Sequence, residues 1–244
     1  MGIIKNKEQY KKRIIDQTIE TYLKISGAIC IEGPKWCGKT WIASYHAKSE
    51  FLLADPSNNF QNRHLAEVSP TIILQGDTPR LIDEWQEVDS IWDAVRYSVD
   101  KSGKKGQFIL TGSSTPKMVQ RIHSGVGRIG RLRMRTMSLY ESGDSSGQVS
   151  LHELCEGVFP SVFTGDVSLR DLALYIVRGG FPGAIDLSSE KSQLIAESYI
   201  QTILYDDAQR IDGKKYDADK MELLLRSLAR NESTTATKKK LTSD

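Results

Sequence analysis

The chain has little of several things that would fix its class at once. Its 244 residues hold three cysteines (Cys30, Cys37, Cys155) and four histidines. No two cysteines form a C-x-x-C pair, so neither a disulfide framework nor a structural zinc site is indicated. No apolar stretch approaches the roughly 18 residues that mark a membrane span. The start of the chain (Lys5, Lys7, Glu8, Lys11, Lys12, Arg13) is charged and lacks the apolar core of a signal peptide. Neither sign of charge dominates: 33 basic against 31 acidic side chains leave +2, which commits the chain as a whole to no polyanionic partner. With 39% apolar and 26% charged residues, the expectation is a soluble cytoplasmic protein of one large or two smaller domains.

What is present is more specific. The run Ala28-Ile29-Cys30-Ile31 leads into Gly33-Pro34-Lys35-Trp36-Cys37-Gly38-Lys39-Thr40, which fits G-x-x-x-x-G-K-[ST]. The apolar run reads as a buried strand, and Trp41 to Ala47 reads as the opening of a helix. Strand, loop and helix in that order are the context a phosphate-cradling P-loop requires. Gly33 and Gly38 let the backbone curl so that successive N–H groups converge on phosphate oxygens. The helix N-terminus adds partial positive charge on the same side. Lys39 is expected to reach the β- and γ-phosphates, and the Thr40 hydroxyl to ligate Mg²⁺. Gly33 to Trp41 are together the expected nucleotide-binding segment.

A second stretch, Arg80-Leu81-Ile82-Asp83-Glu84-Trp85-Gln86, reads as an apolar strand ending in two acids, a Walker B pattern. Asp83 is expected in the Mg²⁺ shell, and Glu84 as the base that orients and deprotonates the attacking water. Val88 to Val99 carries Ile91, Trp92, Val95 and Val99 at helical spacing. Gln107 to Ser114 reads as a further strand, with Thr111 or Ser113 placed to sense the γ-phosphate. Strands alternating with helices around a P-loop predict a mostly parallel sheet covered on both faces: a three-layer α/β core of P-loop NTPase type. Guanine specificity is not expected, because the lone Asn6-Lys7 pair precedes the loop and has Gln9 where N-K-x-D needs Asp.

Ser124 to Arg135 is rich in arginine and glycine. Three readings compete for it. Arg128 or Arg131 is an arginine finger reaching into a neighbouring subunit of a homo-oligomer. Alternatively the stretch is a basic stripe for nucleic acid, or an edge strand in which Leu132 and Met134 alternate with arginines.

The core is expected over residues 1–150, with residues 6–25 as a helix before the first strand, Phe51 to Asp55 as a second strand, and Glu141 to Ser150 as a flexible polar link. Thr71 to Leu74 fits a short strand or a helix end. Residues 151–230 read as a small helical subdomain of the kind that lids a nucleotide site. Its helices are a capped one from Ser168 to Gly179-Gly180, one over 189–207 and one over 217–230. Arg178 is a candidate phosphate contact from that lid. Residues 231–244, with Lys238-Lys239-Lys240, read as the start of a further, truncated domain of helix-turn-helix or winged-helix type, or else as a disordered basic tail.

The set GPKWCGKT, LIDEWQ, FILTGSS, GRIGRLRM and RGGFPGA resembles the prokaryotic AAA-type ATP-binding proteins, whose ATPase core precedes a C-terminal domain of unknown function. The resemblance covers nearly the whole chain. It implies ATP binding, Mg²⁺ dependence, Glu84-driven hydrolysis and a larger C-terminal region than this chain holds. The alternative function is a nucleic-acid-associated module in which ATP acts as a switch.

Overall fold

The computed structural model describes residues 10–113, 125–163, 165–207 and 216–243. Five strands form its sheet: β1 (Ala28–Gly33), β2 (Ser49–Leu52), β3 (Arg80–Asp83), β4 (Phe108–Ser113) and β5 (Ile129–Arg133). All pair in parallel, in the order β2-β3-β4-β1-β5. Parallel strands need crossovers, and helices supply them: α2 (Lys39–His46) after β1, α3 (Ser57–Val68) after β2 and α4 (Ser90–Ser102) after β3.

The residue pattern of β1 follows from its place at the centre. Ala28, Ile29, Cys30 and Ile31 are fully buried, because both faces of the strand are covered. Alternate residues then sort into two clusters. Cys30 joins Ile82, Leu110 and the α4 residues Ile91, Trp92, Val95 and Val99. Ile29 and Ile31 join Leu81, Ile109, Ile42 of α2 and Ile19 of α1 (Asp16–Ile25). The result is the expected three-layer α/β/α core, with every strand's carboxyl end on one rim.

Several boundaries move. The first helix begins at Asp16, ten residues later than its spacing suggests, and residues 6–9 lie outside the described part. One local and one tertiary bond take the chain out of helix there: the Arg13 N–H donates to Asp16 (2.6 Å) and the Ile14 N–H to Glu141 (2.8 Å). The second strand starts at Ser49, where register with Arg80 places it, and stops before Leu53. Thr71 to Leu74 is neither strand nor helix end; Ile72–Leu74 form a 3₁₀ turn. Helix α3 carries almost no signal of period 3.6, since Ala66 is its one fully buried side chain among those described.

The short helix α5 (Leu139–Ser142) starts on a capping box between Ser138 and Glu141. The segment expected to be a flexible link is therefore anchored. Glu141 accepts from Arg13 Nε (3.0 Å), and Asp144 pairs with Arg178 (2.5 Å). Beyond it lie α6 (Leu151–Cys155), α7 (Leu169–Arg178), α8 (Ser189–Thr202), which runs into a π turn (Ile203–Asp207), α9 (Ala218–Arg230) and α10 (Lys238–Ser243). The Ser168–Asp171 capping box and the stop at Gly179 stand where the residues place them. The arginine-rich stretch forms the edge strand β5, with Ile129 and Leu132 inward and Arg131 and Arg133 outward; Ser124 lies outside the described residues.

Candidate functional site

Parallel strands carry their last residues to a shared rim, where open α/β sheets hold ligands. Here Gly33 ends β1, Asp83 ends β3, and Thr111 lies level with Ile31 on β4. The loop from Gly33 turns through Trp36 (φ +63°) and Gly38 (φ +96°) into α2. Gly33 is required by space: a Cβ there would stand 2.4 Å from the Met134 carbonyl oxygen. Gly38 is required by its left-handed backbone.

The expected side chains do converge. Lys39 is buried, and its ammonium donates to the carbonyls of Gly33 (3.0 Å) and Pro34 (2.9 Å). The Thr40 hydroxyl donates to Asp83 Oδ1 (3.0 Å), which also accepts from the Thr111 hydroxyl (2.5 Å). Thr111 in turn accepts from the Glu84 N–H (3.2 Å). Glu84 sits in the left-handed region (φ +55°), a strain of about 1–3 kcal/mol that clusters at working sites. Its carboxylate accepts from the Gln86 amide.

Burial pushes both acids above the ordinary carboxylate range. For Asp83 the bonds from Thr111 and Thr40 and the Lys39 charge oppose that push. For Glu84 the Gln86 bond opposes it, while the Asp83 charge adds to it. Cys37 is a buried core thiol, and burial raises its pKa as well. Thr111, expected as a phosphate sensor, is fully buried with its hydroxyl committed to Asp83 and Glu84. The side chain of Ser113, the other candidate sensor, lies outside what the structure describes.

A cleft of about 620 Å³ opens above the rim, lined by Lys35, Trp36, Gly38, Lys39, Thr40, Trp41 and Glu84 from the core and by Phe181 to Ala184 and Ile195 from the helical segment. A second cavity of about 310 Å³ shares Trp41 and Pro182 with it and is lined also by Tyr10, Lys11, Arg13, Met137 and Asp186. Both fall in the range of roughly 300–1,000 Å³ usual for small-molecule sites. The segment 178–184 is held over the loop by close contacts. Met137 N–H donates to the Gly180 carbonyl (2.7 Å), and the Tyr199 ring of α8 lies 4.8 Å from Phe181 and 5.5 Å from Trp36. Lys11 pairs with Asp186 across the mouth (2.9 Å).

Two arginines stand elsewhere. Arg178 is engaged by Asp144. Arg128 precedes β5 at the amino end of the sheet, where its carbonyl accepts from Ala28 N–H and its guanidinium pairs with Asp100 (2.7 Å). The five residue steps from Ala28 to Gly33 put roughly 16 Å of strand between it and the loop of its own protomer.

Sequence reasoning missed Arg13, Gln86, Tyr10 and Pro182. Arg13 reads as one charge in a charged N-terminus, and no local pattern reveals that its side chain is only 5% exposed. Gln86 follows the acids at a spacing that does suggest contact with Glu84. Gly180 carried a signal in the double glycine: a Cβ there would lie 2.2 Å from the Met137 carbonyl oxygen.

Among the described residues no group of three or more His, Cys, Asp or Glu could hold a metal, and no helix is long and apolar enough to cross a membrane. Residues 26–143 match the family model of the AAA domain, and residues 169–244 match a domain of unknown function (DUF8612). The second match runs through the boundary expected at residue 230. No curated protein sequence matches the chain. Among solved structures it resembles the Walker-type ATPase PABY2304 of Pyrococcus abyssi, at 13% identity and a TM-score of 0.51, covering 97% of this chain and 88% of that one. Weaker likenesses are to the T158V form of Thermotoga maritima RuvB (12% identity, TM-score 0.42, 94% and 80% covered) and to the FIGL-1 AAA domain in complex with ADP (13%, 0.36, 94% and 81%). Residues 26–143 are thus similar to the AAA domain and carry the P-loop NTPase fold, and residues 169–244 are similar to a domain whose function is undefined.

Proposed function

We propose that the protein binds ATP in the cleft between Gly33–Trp41 and Phe181–Ala184 and hydrolyses it with Mg²⁺. The observation that carries this is the chain Thr40–Asp83–Thr111–Glu84 beside Lys39 at the carboxyl rim of a parallel sheet. Loop N–H groups and the α2 N-terminus cradle the β-phosphate, while Lys39 bridges to the γ-phosphate. The neighbouring cavity, where Trp41, Pro182 and Tyr10 offer apolar and aromatic surface, takes the base.

The donor set suits Mg²⁺. A hydroxyl and a carboxylate oxygen 3.0 Å apart match neighbouring positions of an octahedron with bonds of about 2.0–2.1 Å. Mg²⁺ is ordinarily held by one or two protein oxygens together with phosphates and water. Bound by Thr40, Asp83 and the phosphates, it would neutralise the charge that develops on the β- and γ-oxygens.

Glu84 takes the proton as water attacks the γ-phosphorus and the bond to the β,γ-bridging oxygen breaks, leaving ADP and inorganic phosphate. Its raised pKa makes it a better proton acceptor than an exposed glutamate. Thr111 keeps it aimed by holding both its N–H and the neighbouring Asp83. Closure of the helical segment over the cleft excludes water and couples turnover to its movement. Phosphate release from Mg-ATP tests the proposal: the parent turns over, Lys39→Ala loses tight nucleotide binding, and Glu84→Gln binds without turnover. Equal rates for the parent and Glu84→Gln would refute the assigned base.

A further inference from the structure

We infer that Arg13 is a positioning residue for the phosphate cradle: its guanidinium fixes the Cys37–Gly38 peptide so that the Gly38 N–H points into the cleft. The inference rests on the proposed nucleotide site and adds a residue from outside every motif of it. Arg13 lies on the segment that precedes α1, yet its side chain is 5% exposed and its donors reach three separate elements. Nη1 donates to the Cys37 carbonyl (2.9 Å), Nη2 to the Arg135 carbonyl (2.9 Å), and Nε to Glu141 Oε1 (3.0 Å). Glu141 is itself fixed, since its other oxygen accepts from the Ser138 N–H and hydroxyl. A planar guanidinium fork can hold these acceptors together, whereas an ammonium cannot span them.

The consequence for the loop follows from peptide geometry. The Cys37–Gly38 bond is trans, so its C=O and N–H point in opposite directions. Arg13 pulls the carbonyl toward the N-terminal segment, which turns the Gly38 N–H toward the cleft that Gly38 lines. Gly38 has a left-handed backbone with φ +96°, and as a glycine it has a wide choice of peptide orientations. Without an external hold, flipping that peptide would present a carbonyl dipole to a phosphate in place of a donor. The bond to Arg135 also ties the loop to the strand-end segment that leads to Met137 and its bond with Gly180.

The test uses the 244-residue chain as the parent, Arg13→Lys and Glu141→Gln proteins. Thermal unfolding, calorimetric titration with Mg-ADP, and the ¹⁵N-glycine amide signal of Gly38 are measured for each. For Arg13→Lys the inference expects ADP affinity to fall about tenfold, the scale of one lost charge-assisted bond. The downfield movement of the Gly38 amide on ADP addition should also be lost, although the protein still unfolds cooperatively. Glu141→Gln, which leaves Arg13 in place but loosens it, should weaken ADP about threefold, and it carries the test if the lysine protein does not fold. A role confined to anchoring the N-terminal segment would lower the melting temperature while leaving ADP affinity and the Gly38 signal as in the parent; that result overturns the inference. A parent that binds no ADP refutes the nucleotide site itself and is distinguishable at once.

Discussion

Glu84 combines two costs that the fold bears at one residue, and both can be removed by substitution. Its backbone sits at φ +55° and its carboxyl is held above the ordinary range by burial. The sign follows directly. A raised folded pKa means that the folded, nucleotide-free state holds the proton more tightly than the unfolded chain. The penalty is absent below the unfolded value of about 4.5 and grows as the pH rises above it. Glu84→Gln removes the charge and keeps the shape, so it should melt higher than the parent at pH 7.5 and not at pH 3.5. Glu84→Gly also relieves the left-handed backbone, about 1–2 kcal/mol, and returns 0.5–1 kcal/mol as unfolded-state entropy, roughly. The remainder, about 1 kcal/mol, corresponds to roughly 2–4 °C in a chain of this size. In both variants turnover should fall by about 10²–10⁴-fold, the scale of a lost general base, with ADP affinity kept. Melting curves at two pH values and a phosphate-release assay read all of this. A Glu84→Gln protein less stable than the parent at pH 7.5, or one that hydrolyses ATP at the parent's rate, would refute the reasoning.

Asp16 behaves in the opposite way. Burial pushes its carboxyl up, but the bonds from His46, the Arg13 N–H and the Tyr10 hydroxyl outweigh that and hold it below its ordinary value of 3.8. Its stabilisation is complete above that value and lost as the pH falls through the lower folded one, so Asp16→Asn should melt lower at pH 7 and flatten the parent's loss of stability below about pH 4. Gly180→Ala puts a Cβ 2.2 Å from the Met137 carbonyl oxygen; limited trypsin digestion should then cut the helical segment sooner, and ADP affinity should fall. Arg128→Ala leaves the cleft of its own protomer untouched, so ADP affinity should hold. If a neighbour's Arg128 completes the site, turnover per protomer rises with parent concentration and this rise disappears in the variant.

The core was legible because both faces of its strands are buried. Runs such as Ala28 to Ile31 and Arg80 to Asp83 announce themselves, and the P-loop and strand-end acids follow from them by chemistry and spacing. Residues that act across long sequence distances were not legible. Arg13 meets Cys37, Arg135 and Glu141 only after folding, and its seat also explains why the first helix starts at Asp16. Thr111 was placed correctly on its strand, but whether its hydroxyl faces the cleft or the acids depends on register with β3, which no single strand encodes. Helix α3 stayed hidden because a helix that buries one alanine leaves almost no periodic trace. The Glu141 to Ser150 link looked mobile by composition, yet two of its acids had partners more than thirty residues away along the chain.

The most direct measurement is a crystal structure of the Glu84→Gln protein with Mg-ATP. The account predicts the γ-phosphate within hydrogen-bond reach of Lys39 Nζ, the metal beside Thr40 and Asp83, and the base between Trp41 and Pro182. A nucleotide seated anywhere else, or a triphosphate that leaves Lys39 bonded only to Gly33 and Pro34, would contradict it.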